Sequence, residues 1–600
     1  MIFDDAEPRW MRGFASRPFA SALSCVVLLW CSYPPVANLG VTAIDDAWMG
    51  VPWLSLLAWV ALLPLLPLIV IRKLQPGTLR KIWLAAWLYW AATLYFIPIP
   101  HWAMWFGWLA LSSYMSIYLP LFVIAARVLI QRFKLPILLA AAISWVGLEY
   151  FRTYCFTGFG LALLGHTQVK FPFLIQIADL GGAYAVSFLI VFVATCLFLC
   201  LRRSDLRSRL SYSIIGVLAI VASLVYGTYR LSEQVGRNAG ERRSVRVGVL
   251  QGNIDTVFPK TPEEAEQNFL HKVHHYRDLA SSAKLWQEHH DSPQAKANVD
   301  LLIWPEGKFS VTDFFVNVPH DRNLDSQKIN LLRRSKEAIR IAMLWMQSVG
   351  VFPDDPSDHP TNPYAIPSLV GAQTVDPLTN DIFNSVLLID SAGEVVARYY
   401  KNHRVLIGEY IPLENQFPFL RQLTPQGKGL TPGTLPAAIQ FNGFVFCPNI
   451  CFESCVPHLL RRQVNQLEFQ EGLAPDFMVN LTDDGWFYGS SCLDLHLACT
   501  IFRAVELRKP TIVAANTGFS AHIDGSGVLQ SIGPRREAKV LIVEASPDGR
   551  YSPYRIIGDW PVAGAAVLVI LALVYEMKRQ YLGYRNRGND AKQSPVGEVP

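Results

Sequence analysis

The sequence FVFCPNICFE, at residues 444–453, links the expected fold of this chain to its expected chemistry. Its first seven residues are mostly apolar, which is typical of a buried β-strand, and the run leads into Cys451. Two other apolar runs end in the same way, LLIWPE (301–306) on Glu306 and RYYK (398–401) on Lys401. Strand ends at one edge of a sheet bring together side chains that are distant in sequence. The pattern therefore predicts that Cys451, Glu306 and Lys401 share a pocket.

The region around these runs has the alternating pattern of a layered α/β domain. Short apolar runs separated by turn residues and helical stretches (262–290 and 328–348) favour strands alternating with helices. The predicted strands are 245–251, 300–304, 385–390, 395–400, 444–450, 477–480 and 511–515. The Pro- and Asp-rich stretches 310–330 and 350–365 predict an inserted loop, to which we assign no role.

The remainder of the chain is too apolar for a soluble protein. Hydrophobic residues make up 51% of the 600 residues and charged residues 17%, against about 25% charged in average soluble proteins. The apolar excess lies in residues 19–230 and 561–577. A membrane span needs about 20 apolar residues. Eight spans are predicted on this basis: 18–36, 51–71, 82–98, 102–126, 136–151, 173–201, 210–229 and 560–577.

Basic residues set the expected orientation of these spans. They precede the first span, lie between the second and third, and follow the fourth, sixth and eighth, so eight spans place every strongly basic connection on one side. Both termini are then cytoplasmic and residues 231–555 lie outside. The net charge of +5 sits beside apolar runs, which argues against a nucleic-acid partner. No small-residue cleavage site follows residues 19–31, so we interpret them as a first membrane helix and not as a signal peptide.

A cysteine, a lysine and a glutamate together can perform acyl transfer. The thiolate attacks an acyl carbonyl, and the carboxylate takes the thiol proton and later the proton of an attacking amine. The ammonium lowers the pKa of the thiol and stabilises the tetrahedral oxyanion.

The segments WPE (304–306), YKNH (400–403) and NICFE (449–453) resemble the Glu–Lys–Cys signature of the nitrilase superfamily. With the flanking spans, residues 18–577 resemble the apolipoprotein N-acyltransferase family, with supporting matches at GEYIP (408–412), DGWF (484–487), RAVEL (503–507) and NTG (516–518). The resemblance implies eight transmembrane helices and a nitrilase-like α/β sandwich with αββα layers. The expected division is a seven-helix membrane domain at 18–230, a catalytic domain at 241–550, an eighth helix at 556–578 and a cytoplasmic tail at 579–600.

The resemblance also implies roles for individual residues. Cys451 is the expected nucleophile, Glu306 the general base and Lys401 the oxyanion stabiliser. The expected supporting or substrate-binding residues are Glu409, Glu453, Trp486 and Phe487, with the last two on a mobile arm near the membrane. One departure stands beside that arm, where Thr482-Asp483-Asp484 replaces the Ser-Asn-Asp that the family commonly has.

The implied reaction moves an acyl chain from a phospholipid to Cys451 and then to the N-terminal amine of a diacylglyceryl-cysteine apolipoprotein. It needs no cofactor and no metal. The expected location is the inner membrane of a two-membrane bacterium, with the catalytic domain in the periplasm. Two alternatives remain: a membrane-tethered amidase that uses the same triad, and a non-catalytic paralogue with the same fold.

Three smaller expectations concern individual side chains. Cys447, Cys451 and Cys455 are spaced by four, but no cysteine–histidine pair of zinc-site spacing follows, which disfavours a metal. Cys492 and Cys499 could pair in an oxidising compartment. Glu149 and Arg152, near the outer end of the fifth predicted span, are expected to form a mutual ion pair.

Overall fold

A computed structural model describes residues 8–33, 52–233, 243–256, 261–289, 299–307, 309–310, 366–376, 379, 381–414, 416–419 and 429–593. From residue 311 on, the predicted insertion and the predicted helix 328–348 lie outside the described residues.

The described residues between 9 and 232 form a helical bundle with short helical turns between the longer helices. The longer helices are Arg9–Ser16, Pro18–Ser32, Thr78–Thr93, Met104–Ser116, Tyr118–Gln131, Ile137–Tyr154, Ala183–Arg202 and Leu206–Ser232. The short ones are Pro52–Leu57, Ala58–Ala61, Pro67–Val70, Leu164–Gln168, Pro172–Ile175 and Ala178–Gly181. The last helix of the chain, Trp560–Gln593, returns to this bundle and packs along Ile137–Tyr154.

Four helical segments among the described residues are long and apolar enough to cross a membrane: Met104–Gln131, Ala183–Arg202, Leu206–Ser232 and Trp560–Leu582. Arg9–Ser16 and Pro18–Ser32, bent by 97°, would make a fifth if they form one span. The count of eight therefore stays a prediction.

Two predicted spans differ from the observed helices. The predicted span 51–71 is divided into three short helices, the last beginning at Pro67, because proline cannot donate the hydrogen bond that a continuous helix requires. The predicted span 173–201 is interrupted at Gly182, whose φ of +68° is left-handed. A Cβ at Gly182 would lie 3.1 Å from the Tyr554 ring, so the break also admits a side chain from the other half of the molecule.

Residues 245–545 contain two β-sheets. The strands of the first are β1 (Val245–Gln251), β2 (Leu301–Ile303), β3 (Phe309–Ser310), β4 (Ser368–Asp376), β5 (Asp381–Ile389), β6 (Val395–Tyr400) and β13 (Lys539–Ala545). Its order is β13-β1-β2-β4-β5-β6, with β3 beside β4. The second has the order β12-β11-β10-β9-β8-β7, formed by β7 (Ile439–Phe441), β8 (Phe444–Ile450), β9 (Phe477–Thr482), β10 (Thr511–Ala515), β11 (Ala521–Ile523) and β12 (Leu529–Ile532).

The two sheets pack face to face and are covered by helices. Val247 and Val386 of the first sheet share one buried cluster with Phe446 and Val479 of the second. Helix Pro262–His289 covers the outer face of the first sheet, and helices Pro457–Phe469 and Cys492–Leu507 cover the outer face of the second. The predicted α/β sandwich is confirmed.

Helix Cys492–Leu507 joins the sandwich to the bundle. All of its residues are buried, and its apolar side chains belong to the same core cluster as the bundle helices. At its carboxyl end, Arg508 donates to Asp179 and to Gln176, both on the bundle side, and Arg230 also pairs with Asp179 at 2.8 Å. The sandwich therefore sits on the helices through a continuous core that ends in a buried charge cluster.

Candidate active site

Three strand ends place their polar side chains together, as the sequence pattern predicts. Glu306 follows β2, Lys401 follows β6 and Cys451 follows β8. The Lys401 ammonium donates to Glu306 Oε1 at 3.4 Å and to Glu409 Oε1 at 2.7 Å. Cys451 lies close enough that the charges of Glu306 and Lys401 both act on the pKa of its thiol. The structure thus brings four of the predicted site residues into one buried group.

Glu306 is oriented by three donors. Asn384 Nδ2 donates to its Oε1 at 2.6 Å, and the backbone nitrogen of Asp483 donates to its Oε2 at 2.8 Å, while Lys401 supplies the third contact. Burial raises the pKa of the Glu306 carboxyl, and the nearby Glu409 raises it further, although the Lys401 ammonium opposes both. A carboxylate with a raised pKa is a stronger base, which suits a group that must accept the proton of a thiol.

Lys401 is held as an ammonium by two carboxylates. Burial lowers its pKa, but Glu409 and Glu306 outweigh burial, so the pKa of Lys401 is raised well above its usual range. Glu409 is fixed in turn by the backbone nitrogen of Val405, which donates to its Oε2 at 2.8 Å. The site therefore carries a permanent positive charge suited to a developing oxyanion.

Cys451 has both an unusual backbone and a protonated thiol. Its φ of +52° lies in the left-handed region, which is uncommon for a residue with a side chain. Burial raises the pKa of the thiol well above its usual range, and Glu306 adds to this, whereas Lys401 lowers it. Lys401 lowers the pKa of the thiol, as expected, but burial and Glu306 together raise it by more. The resting thiol of Cys451 is neutral and would need a base in order to act as a nucleophile.

Glu453 connects the cysteine and lysine segments. Its Oε1 accepts from the backbone nitrogens of Asn402 at 2.7 Å and His403 at 2.9 Å, and its Oε2 accepts from the backbone nitrogen of Ile450 at 2.7 Å. The Tyr399 hydroxyl donates to the same carboxylate. Burial raises the pKa of Glu453 to about 7, although Lys401 and these donors oppose the rise. Glu453 does not touch Lys401 directly and acts on the site by holding its backbone.

Trp486 and Phe487 lie on the short helix Asp484–Phe487, between the site and the bundle. The Phe487 ring is 5.3 Å from that of Phe96 in the bundle, and both predicted arm residues are half-buried. Beside Cys451, the ring of Phe452 lies 6.5 Å from that of Phe159. Aromatic contacts therefore connect the segments beside the site to the helices.

The remaining cysteines are free thiols. Cys492 and Cys499 stand seven residues apart on one helix, which separates them by about 10 Å along its axis. A disulfide requires Cα atoms closer than about 7 Å, so the expectation that they could pair is wrong. Among the described residues, no group of three or more His, Cys, Asp or Glu side chains is placed to hold a metal ion.

The predicted ion pair between Glu149 and Arg152 is also wrong. Glu149 accepts from the backbone nitrogen of Leu164 at 2.7 Å, and Arg152 donates to the carbonyl oxygens of Leu161 and Ala162 at 3.1 Å. Both side chains bind loop backbone because the loop after this helix folds back into the bundle and needs partners for its polar groups.

Two residues of the site are not predicted from the sequence. Asn384 is a polar residue in the middle of β5, beside Ser385 and before the apolar end at 386–389, which is the signal that could have identified it. His496 is a buried histidine whose Nε2 lies 3.0 Å from the carbonyl oxygen of Cys451. Nothing local in the helix sequence marks it, because its partners come from other elements.

A two-sheet sandwich with a buried Glu–Lys–Cys group, mounted on apolar helices, defines a nitrilase-like enzyme attached to a membrane. The family profile described as "Apolipoprotein N-acyltransferase N-terminal domain" matches residues 27–196, and that described as "Carbon-nitrogen hydrolase" matches residues 359–552. The chain is 31% identical to an apolipoprotein N-acyltransferase of Rhodopirellula baltica, over 94% of this chain and 97% of that one. It belongs to the apolipoprotein N-acyltransferase family.

Other relatives agree with this assignment. An apolipoprotein N-acyltransferase of Geobacter metallireducens is 31% identical over 87% of this chain and 92% of its own length.

Among solved structures, an amidase mutant from Nesterenkonia sp. AN1 matches 52% of this chain and 94% of its own, with 15% identity and a TM-score of 0.31.

Proposed function

We propose that Cys451, Glu306 and Lys401 transfer an acyl chain from a phospholipid to the N-terminal amine of a diacylglyceryl-cysteine apolipoprotein. The observation that carries the assignment of roles is the buried group itself: a neutral thiol beside a carboxylate of raised pKa and a lysine held as an ammonium.

The first half-reaction forms a thioester. The Cys451 sulfur attacks the ester carbonyl of the phospholipid while Glu306 takes the thiol proton, and the Lys401 ammonium stabilises the oxyanion. The tetrahedral intermediate collapses with cleavage of the ester C–O bond. Glu306 returns the proton to the departing alkoxide, which leaves as a lysophospholipid.

The second half-reaction forms an amide. The amine of the diacylglyceryl-cysteine attacks the thioester carbonyl, and Glu306 takes a proton from the attacking nitrogen. Cleavage of the C–S bond regenerates the Cys451 thiol with that proton. Water would compete with the amine, so the aromatic residues between site and bundle serve to exclude it.

The surroundings of the site suit lipid substrates. Exposed aromatic side chains of the kind that lie at a membrane–water boundary occur in the bundle at Trp53, Trp102, Trp105 and Phe106. Ile407, in the segment after Lys401, lies 3.5 Å from the position that a Cβ on Gly107 would occupy. The site loop is therefore next to this aromatic segment. We place it at the outer face of a bacterial inner membrane, with eight spans and the catalytic domain in the periplasm.

The test is site-resolved mass spectrometry of the detergent-solubilised protein after incubation with a diacyl phospholipid carrying isotope-labelled acyl chains. We expect a labelled thioester on Cys451, lost when a diacylglyceryl-cysteine peptide is added, with the label recovered as an N-acyl peptide. Cys451→Ala removes the adduct, whereas Cys447→Ala, the matched change of a buried thiol four residues away, retains it. Absence of a lipid adduct, with hydrolysis of a small amide such as acetamide, would establish the amidase alternative instead.

A further inference from the structure

A buried histidine lies beneath the nucleophile segment, and none of the proposed catalytic steps uses it. His496 stands on helix Cys492–Leu507 and is only 6% exposed. Its Nε2 is 3.0 Å from the carbonyl oxygen of Cys451 and 2.8 Å from the hydroxyl of Ser454. Its Nδ1 is 3.1 Å from Asp484 Oδ1.

These partners fix the protonation of the ring. A carboxylate and a carbonyl oxygen are acceptors only, so each requires a donor N–H from the imidazole. The Ser454 hydroxyl donates its proton to the same carbonyl oxygen and therefore accepts from Nε2, so both ring nitrogens of His496 carry a proton and the ring is an imidazolium. The pKa values agree with the geometry: burial lowers the pKa of His496, but the Asp484 carboxylate outweighs burial and raises it to about 9.

The charge of His496 also affects the Cys451 thiol, because it acts on Asp484. Asp484 is one of the groups that raise the pKa of Cys451, together with burial and Glu306, while Lys401 lowers it. Asp484 is itself buried, so its charge is poorly screened by solvent. The imidazolium of His496 contacts the same carboxylate and offsets its charge.

We propose that His496 is a positioning residue for acyl transfer, which holds Cys451 in its left-handed conformation through the carbonyl oxygen and neutralises the Asp484 charge that faces the thiol. The proposal rests on the proposed role of Cys451 as nucleophile. His496 acts on the nucleophile through its backbone and its electrostatic surroundings, and takes no proton during the reaction.

The titratable groups around the ring are few, so a pH measurement can isolate its effect. Asp484 faces His496 from the short helix Asp484–Phe487, and Cys499 faces it from the same helix as His496. The contacts from the Cys451–Cys455 segment are the carbonyl oxygen of Cys451 and the hydroxyl of Ser454, neither of which titrates in the relevant range.

The experiment measures the pH dependence of Cys451 alkylation by iodoacetamide, resolved by mass spectrometry, in the detergent-solubilised full chain. His496→Gln keeps a side-chain N–H donor but cannot carry a charge, so we expect alkylation between pH 6 and pH 8, where His496 is charged, to slow about threefold or more. In Asp484→Asn/His496→Gln both charges are removed, and the rate in this pH range should return close to that of the unmodified protein. His522→Gln, at another buried histidine, should leave it unchanged.

Single-turnover acylation with labelled phospholipid supplies the second measurement. We expect the rate of thioester formation to fall about 10-fold in His496→Gln, because a neutral amide replaces charge-assisted hydrogen bonds that are roughly twice as strong, with apparent donor affinity altered less than about twofold. An unchanged alkylation rate between pH 6 and pH 8 in His496→Gln, or a slowed rate that persists in the double variant, overturns the proposal.

If His496→Gln does not fold, the double variant Asp484→Asn/His496→Gln tests the proposal by itself. A double variant that folds and is alkylated at an unchanged rate between pH 6 and pH 8 supports neutralisation of Asp484, whereas a slowed rate or failure to fold contradicts it. Loss of the lipid adduct in the unmodified protein would count against the proposed function and not against the role of His496, because alkylation needs no lipid.

Discussion

The backbone nitrogen of Asn402 donates to the carboxylate of Glu453 at 2.7 Å, which ties the residue after Lys401 to the residue two positions after Cys451. The same carboxylate binds the backbone nitrogen of Ile450, just before the cysteine. The positions of ammonium and thiol are therefore set by one buried side chain, although they come from different sheets.

Replacing Glu453 by Gln should misplace both groups. Both carboxylate oxygens of Glu453 accept from backbone N–H groups, and a glutamine would place an NH₂ donor against some of them, so those hydrogen bonds would be lost. We expect a stability loss of about 1–3 kcal/mol and an acylation rate lowered about 10- to 100-fold. Thermal unfolding and single-turnover acylation measure the two effects. Gln463→Leu, which removes only a neighbour of Tyr399, should reduce acylation far less; equal losses in both variants would show that Glu453 has no special role.

Lys401→Met should abolish acyl transfer without preventing substrate binding. The change removes the ammonium and leaves Glu306 and Glu409 facing each other without a cation, and loss of one oxyanion donor alone lowers rates about 100- to 1,000-fold. Rapid-quench measurement of thioester formation tests this. Lys170→Met, at a partly buried lysine in the helical part, is the comparison variant. A Lys401→Met enzyme within threefold of the unmodified rate contradicts the assignment.

Asn384→Asp should raise the pH needed for acylation. A carboxylate at this position stands next to Glu306 and Glu409, so repulsion between like charges adds to the burial that already raises the pKa of Glu306. The acidic limb of the pH–rate profile should move to higher pH by about one unit, because the base is ionised only at higher pH. Asn384→Ser adds no charge and removes only the hydrogen bond that lowers the pKa of Glu306, so it should move that limb upward by less than Asn384→Asp does.

The pKa of His496 predicts a loss of stability in alkali. A histidine with a folded-state pKa of about 9, above the ordinary value of 6.5, contributes stability that is fully present below pH 6.5 and is lost as the pH rises through 9. The full shift corresponds to about 3 kcal/mol. Thermal unfolding between pH 6 and pH 10 should show this decline in the unmodified protein and a smaller one in Asp484→Asn. Parallel curves for the two proteins would rule out the pair as its cause.

Asp179→Asn should loosen the interface between the sandwich and the bundle. It leaves Arg508 and Arg230 buried without their shared carboxylate, and breaking a buried pair from one side costs about 3–5 kcal/mol. Limited proteolysis and thermal unfolding should detect the loosened interface. Asp205→Asn, at an exposed helix cap, is the matched change and should have little effect, because Asn caps a helix about as well as Asp.

Much of this architecture follows from local pattern. The strands that end on Glu306, Lys401 and Cys451 are continuous apolar runs with a polar residue at the tip, and the structure places those tips together. The proposed roles of these residues, and the domain limits, stay predictions. β3, β4, β7, β11, β12 and β13 were not predicted. β3, β7, β11 and β12 have only two to four residues, β4 mixes polar residues into its run, and β13 has several partly exposed positions.

The contacts that sequence reasoning missed are all between distant elements. Asn384, Asp484 and His496 matter through partners that lie 78, 12 and 45 residues away, so neither spacing nor periodicity marks them. The broken span at residues 51–71 is different. Its prolines were visible, but hydropathy averages over them and conceals the interruption.

Helix Cys492–Leu507 is shared between sandwich and bundle and reaches the Cys451 segment through His496, so the described residues place no hinge between that sulfur and the helices. If the bundle spans a bilayer as proposed, the height of the sulfur above the lipid is a property of the scaffold. A tilt of the bundle would then tilt the Glu306, Lys401 and Cys451 group with it.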